Sequence, residues 1–188
     1  MTRFLAALLL LSLSACGGAY YAMRPAASDD PPVAIEGRAL VVFAMPTSGR
    51  DTVSVIDELG VYLGQLRGHT WFARDVPPGD HRFYALEGSS AAVVHAVGLE
   101  AGRVYYLRME DPVFGVTRFV AAGCDATSLT GTQRTEPDPA ASEAAVRRQL
   151  GDIPQRTLEA DGRFDRMSGE DRTARTLSGA CPSATAAP

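Results

Sequence analysis

The stretch that decides the fold reads Trp71-Phe-Ala-Arg-Asp-Val76, Pro77-Pro-Gly-Asp80, His81-Arg-Phe-Tyr-Ala-Leu86, Glu87-Gly-Ser-Ser90, Ala91-Ala-Val-Val-His-Ala-Val-Gly-Leu99. Three runs of strand length alternate with clusters of turn residues, and Gly or Pro interrupts every window long enough for a helix. Pro77-Pro78-Gly79-Asp80 is the sharpest of these clusters. Proline pre-sets φ and glycine supplies positive φ, so a tight reversal between two strands is expected there.

The pattern continues in both directions. Upstream lie Ala39-Leu-Val-Val-Phe-Ala-Met45, Thr52-Val-Ser-Val-Ile56 and Val61-Tyr-Leu-Gly-Gln-Leu66, with Asp57-Glu-Leu-Gly60 as a hairpin turn. Downstream, Glu100-Ala-Gly102 leads into Arg103-Val-Tyr-Tyr-Leu-Arg-Met109, and Val116-Thr-Arg-Phe-Val-Ala121 closes the series. About eight strands at roughly ten-residue spacing predict a mainly β protein, a sandwich or barrel. The first run is apolar on both faces, as a central strand should be. Alternation assigns Tyr105, Leu107 and Met109 to the core face of their strand and Val104, Tyr106 and Arg108 to the other.

The region is similar to the bacterial lipoproteins grouped as domain of unknown function 2846. The residues that carry the likeness are Val76-Pro-Pro-Gly-Asp-His-Arg-Phe83 and, after a spacer, Leu99-Glu-Ala-Gly-Arg-Val-Tyr-Tyr-Leu-Arg108. They resemble that group's Pro-Gly-x-His turn and Leu-x-Ala-Gly-x-x-Tyr-Tyr-Val-Arg stretch. Ile56-Asp-Glu-Leu-Gly-Val-Tyr-Leu-Gly-Gln-Leu66 resembles its variable hairpin. The likeness covers about residues 38–122, and PEGA repeats share the Pro-Gly turn. It implies a small immunoglobulin-like or transthyretin-like antiparallel β-sandwich on a lipoprotein, with one or two short peripheral helices following it here. It implies no activity and no catalytic or binding residue.

The N-terminus supplies an address. Arg3 precedes an apolar run of about ten residues, then Leu13-Ser14-Ala15-Cys16-Gly17-Gly18, which matches a secretory signal. The run is about half the roughly 20 residues a spanning helix needs. Leu13-Ser14-Ala15-Cys16 resembles the bacterial lipobox. That likeness implies cleavage between Ala15 and Cys16, a thioether-linked diacylglycerol on Cys16 and usually acylation of the new amino group, palmitate included. Two or more buried acyl chains hold a protein stably on a membrane. Gly17 rather than Asp after the cysteine favours the outer over the inner membrane.

The expected organisation is a signal peptide over 1–15, a lipid-anchored flexible tether over 16–35, a β-sandwich domain over 36–123, a C-terminal extension with short helices over 124–181 and a disordered tail over 182–188. The tether is Pro-rich and without period; as a flexible coil of about 19 residues it would hold the domain roughly 25 Å from its anchor. In the extension, Asp138-Pro139 is expected to start a helix that Gly151 stops, and Ser168-Gly-Glu-Asp171 to cap a second one ending near Ser178-Gly179. The arginines and acids of 159–175 read as a balanced solvated segment. With Cys16 consumed by lipid, Cys124 and Cys181 remain as an even pair in an oxidising compartment. A bridge between them would tie the extension to the core; two buried free thiols, or pairing with another chain, are the alternatives.

Composition narrows the chemistry. All 18 basic residues are Arg and there is no Asn, against 22 acids. The absence of Lys excludes a P-loop of the usual kind, Schiff-base chemistry and a Lys base. The mild acidic balance gives no footprint for nucleic acid. His69, His81 and His95 do not stand at metal-ligand spacing, and no cofactor motif is present. Ser89-Ser90 lacks a nucleophile-elbow frame. Asp57 and Glu58 are adjacent acids in a turn and would face opposite sides on a strand, a poor acid/base pair.

The expectation is therefore a non-catalytic envelope module with membrane contact through lipid and another envelope protein as its partner. A glycan- or peptidoglycan-binding module is the alternative and requires Trp71, Tyr62 and Tyr84 exposed on one face. A hydrolase would need a cleft gathering His81 or His95 with an acid and a nucleophile.

Overall fold

The computed structural model of the protein describes residues 21–48, 52–110, 118–124 and 126–178. In chain order the strands are β1 (Met23–Pro25), β2 (Ala39–Met45), β3 (Val53–Asp57), β4 (Tyr62–Leu66), β5 (Thr70–Val76), β6 (Gly79–Glu87), β7 (Ser90–Leu99), β8 (Val104–Glu110) and β9 (Arg118–Gly123). A 3-10 turn (Ala126–Leu129) follows, then β10 (Gln133–Pro137), helices α1 (Glu143–Leu150), α2 (Ile153–Asp165) and α3 (Gly169–Ala174), and β11 (Thr176–Ser178). The strands form two sheets, ordered β1-β10-β5-β2-β8-β9 and β11-β7-β6-β3-β4. The protein is mainly β and built as a sandwich.

The apolar residues explain the layering. Between the sheets lie Val41, Phe43, Met45, Val53, Val55, Phe72, Phe83, Ala85, Val94, Tyr105, Leu107, Met109 and Phe119, all buried. Phe43 sits at the centre of this core, its ring centroid 5.1 Å from Phe72 and 5.2 Å from Phe83. Tyr105, Leu107 and Met109 face inward as alternation requires, while Tyr106 joins Val42, Ala44 and Trp71 on the outer side of the first sheet. β2 is buried along its whole length because its even residues are covered as well as its odd ones.

Several expectations are corrected. The sheets are mixed, not wholly antiparallel: β2 runs parallel to β8, β10 to β5 and β11 to β7. Each such pair joins strands distant in the chain, which is how parallel neighbours must be connected. Pro77-Pro78 does not close a hairpin; it carries the chain from β5 in one sheet to β6 in the other, with Gly79 at φ 123° making the turn.

The 16–35 stretch is not tether throughout. Ala22 and Met23 are buried at 1% and 5% exposure, β1 pairs antiparallel with β10, and Asp29 accepts from the backbone N–H of Arg134. Residues 124–178 are likewise no appendage, since β10 and β11 complete one sheet each. The helices number three among the described residues. α1 starts at N-cap Ser142 rather than Asp138, whose carboxylate instead accepts from the Ala140 N–H, and it ends at Gly151 as read. Ser168 caps α3, which stops at Ala174 so that the chain can enter the sheet as β11.

α2 is neither short nor peripheral. It lies on the outer face of the second sheet, where Ala160 and Phe164 join Tyr84, Leu86, Ala91 and Val93 in a second buried cluster. Arg156, 8% exposed, donates to the carbonyls of Leu150 and Ser90 at 2.6 Å. Arg163 donates to the Ala91 carbonyl. These guanidinium groups cap carbonyls that burial would otherwise leave unpaired.

Candidate functional site

One cleft gathers most of the titratable groups that the sequence singled out. The β5–β6 crossover delivers His81, and the β3–β4 turn delivers Glu58 to meet it. The turn is rigid: Asp57 accepts from the N–H groups of Leu59 and Val61 at 2.9 and 2.8 Å, spending its carboxylate on structure. Glu58, freed from that task, accepts at His81 Nδ1 at 2.9 Å and from the Arg82 backbone N–H. His81 Nε2 lies 2.9 Å from the Pro77 carbonyl. Both ring nitrogens thus lie at hydrogen-bond distance from protein oxygens.

The second half of the cleft is built across β6, β7 and α2. Arg82 and His95 are cross-strand neighbours. Asp161 of α2 accepts from the Tyr84 hydroxyl at 3.1 Å and from Arg82 at 3.4 Å. Burial, followed by the charge of Asp161, pushes the Tyr84 phenol up to about 12. His95 stacks on Phe164 with centroids 3.9 Å apart; its Nε2 is buried without a hydrogen-bond partner. Burial first, and then the charge of Arg82, holds the imidazole below its usual pKa, so it rests neutral. The cleft encloses about 530 Å³ and is lined by Asp80, Thr157 and Val97 besides these groups.

Its hydroxyls and acids are already engaged. Thr157 Oγ1 donates back to the Ile153 carbonyl of its own helix, Asp80 accepts from the Gly98 N–H at 2.7 Å, and Tyr84 donates to Asp161. His81, His95, Glu58 and Asp161 are brought together, and among the described residues the hydrogen bonds of the His81 ring go to Glu58 and Pro77 rather than to a hydroxyl or thiol. The arrangement locks α2 and the β3–β4 turn onto the second sheet. Among the described residues no group of three or more His, Cys, Asp or Glu is placed to hold a metal ion.

No protein-family model matches the chain, and no curated protein matches it. The remaining sequence candidates are therefore judged on geometry alone. His69 sits in the β4–β5 turn at φ 61°, with its N–H on the Met45 carbonyl, at the other end of the sandwich from His81. Trp71 is 3% exposed, with the Arg134 guanidinium 5.4 Å from its ring centroid. Tyr84 is 4% exposed, and Tyr62 is half-buried with its hydroxyl 3.9 Å from Met23 Sδ. These rings do not form an exposed stacking face for sugar. Ser90 opens β7, and its carbonyl serves Arg156.

Cys124 follows β9 and is half-buried against the inter-sheet core. Ala15, Cys16 and Cys181 lie outside the described residues. Sequence reasoning missed Asp161 and Phe164 because it missed α2. The signal was present: Asp152 caps the helix by accepting from the Gln155 N–H, with a proline in the first turn. The buried stripe was disguised because Arg156 occupies one of its positions.

Proposed function

We propose that this chain is a bacterial envelope lipoprotein, anchored through Cys16, whose β-sandwich is a non-catalytic interaction or structural module. The observation that carries the reading is Leu13-Ser14-Ala15-Cys16 directly after a short apolar run and a single basic residue. No helix among the described residues is long and apolar enough to cross a membrane, so in this reading lipid supplies the attachment. The non-catalytic role is supported by the cleft chemistry: both nitrogens of His81 are engaged, and the hydroxyls of Tyr84 and Thr157 are committed to internal acceptors.

The family reading belongs to the same proposal. Val76–Phe83 and Leu99–Arg108, which resemble domain of unknown function 2846, fall on two of the passages between the sheets, β5 to β6 and β7 to β8, where shape rather than reactivity is required. We pair Cys124 with Cys181, because β11 ends three residues before Cys181 and packs against β9, which ends beside Cys124. Gly17 after the cysteine favours the outer membrane, and the partner is another envelope protein.

Metabolic labelling with palmitate tests the anchor. The wild-type chain should incorporate label and fractionate with membranes, and Cys16→Ser should do neither. Unlabelled wild-type protein in the soluble fraction would overturn the reading. Crosslinking in detergent extract tests the interaction role, and recovery of no partner would count against it.

A further inference from the structure

The two ends of the sandwich differ in what they expose. At one end β3 turns into β4, β2 and β6 begin and β7 finishes, as the registers Ala39↔Val76, Asp57↔Phe83 and Gly79↔Leu99 require. Large apolar side chains stand in water here: Leu59 is 82% exposed, Ile35 55%, Val61 52% and Val97 47%. The described residues of the β4–β5 and β6–β7 turns, at the opposite end, expose no large hydrophobic side chain. The display is held in place, because Asp57 accepts from the N–H groups of both Leu59 and Val61.

The same end is acidic. Glu36, Glu58, Asp75, Asp80 and Glu100 are exposed on it. Its cations are spent inside the molecule: Arg38 donates to the Asp75 carbonyl, Arg103 to Glu100 and Arg82 to Asp161. The β3–β4 turn lies against the start of α2, where a Cβ on Gly60 would stand 3.5 Å from Ile153 Cγ2. The turn thus forms a ridge between two clefts of about 530 Å³ each. One is apolar, walled by Val61, Tyr62, Leu150 and Ile153; the other, already described, carries Glu58, Asp80 and Asp161. Ile153 and Asp161 are eight residues apart on α2, about 12 Å along a helix axis. An extended segment spans that distance in about four residues.

We propose that this end of the sandwich binds a segment of a partner protein, closing over Leu59. The segment carries an apolar side chain for the groove and, about four residues away, a Lys or Arg for the acidic cleft, a reading that rests on the interaction role proposed above. Charge decides the occupant. A second copy of the chain would bring acid against acid, and anionic headgroups would be repelled in the same way. The chain enters the domain beside the β4–β5 turn, where the Arg67 guanidinium lies 4.1 Å from the Tyr21 ring centroid and Gln65 accepts from the Ala22 N–H at 2.6 Å. No leash therefore ties the Leu59 end to a membrane. An apolar centre ringed by charge is the anatomy of a protein interface, the rim steering the partner that the centre holds.

The test places the photo-crosslinker p-benzoylphenylalanine at position 59 or, at the far end, at position 89 of the full-length chain, irradiates the producing cells and sequences the crosslinked peptides. Position 59 should capture one protein, through a peptide with an apolar residue and a Lys or Arg about four residues apart. Glu58→Gln with Asp80→Asn, which keeps the hydrogen-bond acceptors and removes the charges, should lower that yield about fivefold or more. An unchanged yield, a captured peptide without a basic residue, or a crosslink to lipid or to a second copy of the chain overturns the proposal. Capture of a protein from position 89 and not from 59 overturns this face and leaves the interaction role intact. Capture from neither position overturns both.

Discussion

Residues 39–110 and residues 133–178 supply strands to the same two sheets but are held there by different forces. The first set forms the inter-sheet core: Phe43, Phe72, Phe83 and Tyr105 are all essentially inaccessible to water. The second set adds the short strands β10, between β1 and β5, and β11, at the edge of the second sheet; it is held by a smaller outer apolar cluster with Val146, Leu150, Ala160 and Phe164 and by Arg156 and Arg163 on backbone carbonyls. The difference teaches that one β-sandwich can combine an inter-sheet apolar core with an outer belt whose smaller apolar cluster is reinforced by guanidinium groups on backbone carbonyls. Changes in the core should unfold everything, whereas changes in the belt should loosen the belt first.

The sharpest way to break the comparison is Phe43→Ala. Loss of a ring packed on Phe72, Phe83 and Phe119 should cost about 3–5 kcal/mol, read as a shift of one cooperative urea transition. Cys124→Ser comes next. If Cys181 is the partner, opening a loop of about 58 residues removes about 4 kcal/mol on chain-entropy grounds, with the earliest loss of hydrogen-exchange protection in β11. Arg156→Ala should cost about 2–3 kcal/mol, because it leaves the Leu150 and Ser90 carbonyls without their charged donor. Exchange in α1 and α2 should then accelerate before β2 and β8 respond; simultaneous acceleration would erase the distinction between core and belt.

The smallest effect is on pH. Burial holds His95 below its usual value, so as pH falls through about 6.5 the unfolded chain takes up the proton before the folded one does. The stability that neutral His95 contributes is complete above that pH and is lost on descent toward the folded pKa. Urea midpoints measured on either side should fall with acid, and His95→Gln should flatten that slope.

The two regions were also unequally legible. The strands from Ala39 to Gly123 announce themselves because alternation, β-branched residues and Gly or Pro turns agree at each step. Which strands share a sheet was not legible: Pro77-Pro78-Gly79 reads the same whether it closes a hairpin or crosses between layers. β1 and β10 were invisible because Met23-Arg-Pro25 and Gln133-Arg-Thr-Glu-Pro137 lack an apolar face and derive their order from each other and from β5. Of the cleft, His81, His95 and Glu58 were visible as residues, but their meeting depends on the crossover. Asp161 arrives from a helix whose core-facing stripe includes an arginine.

The proposed place of this protein on a membrane depends on the sulfur of Cys16. Intact-mass measurement of the protein extracted from membranes tests it most directly. The predicted mass is that of the chain beginning at Cys16 with a diacylglyceryl thioether and, usually, an N-acyl group added. A mass that retains residues 1–15, or one that shows an unmodified cysteine at position 16, would contradict it.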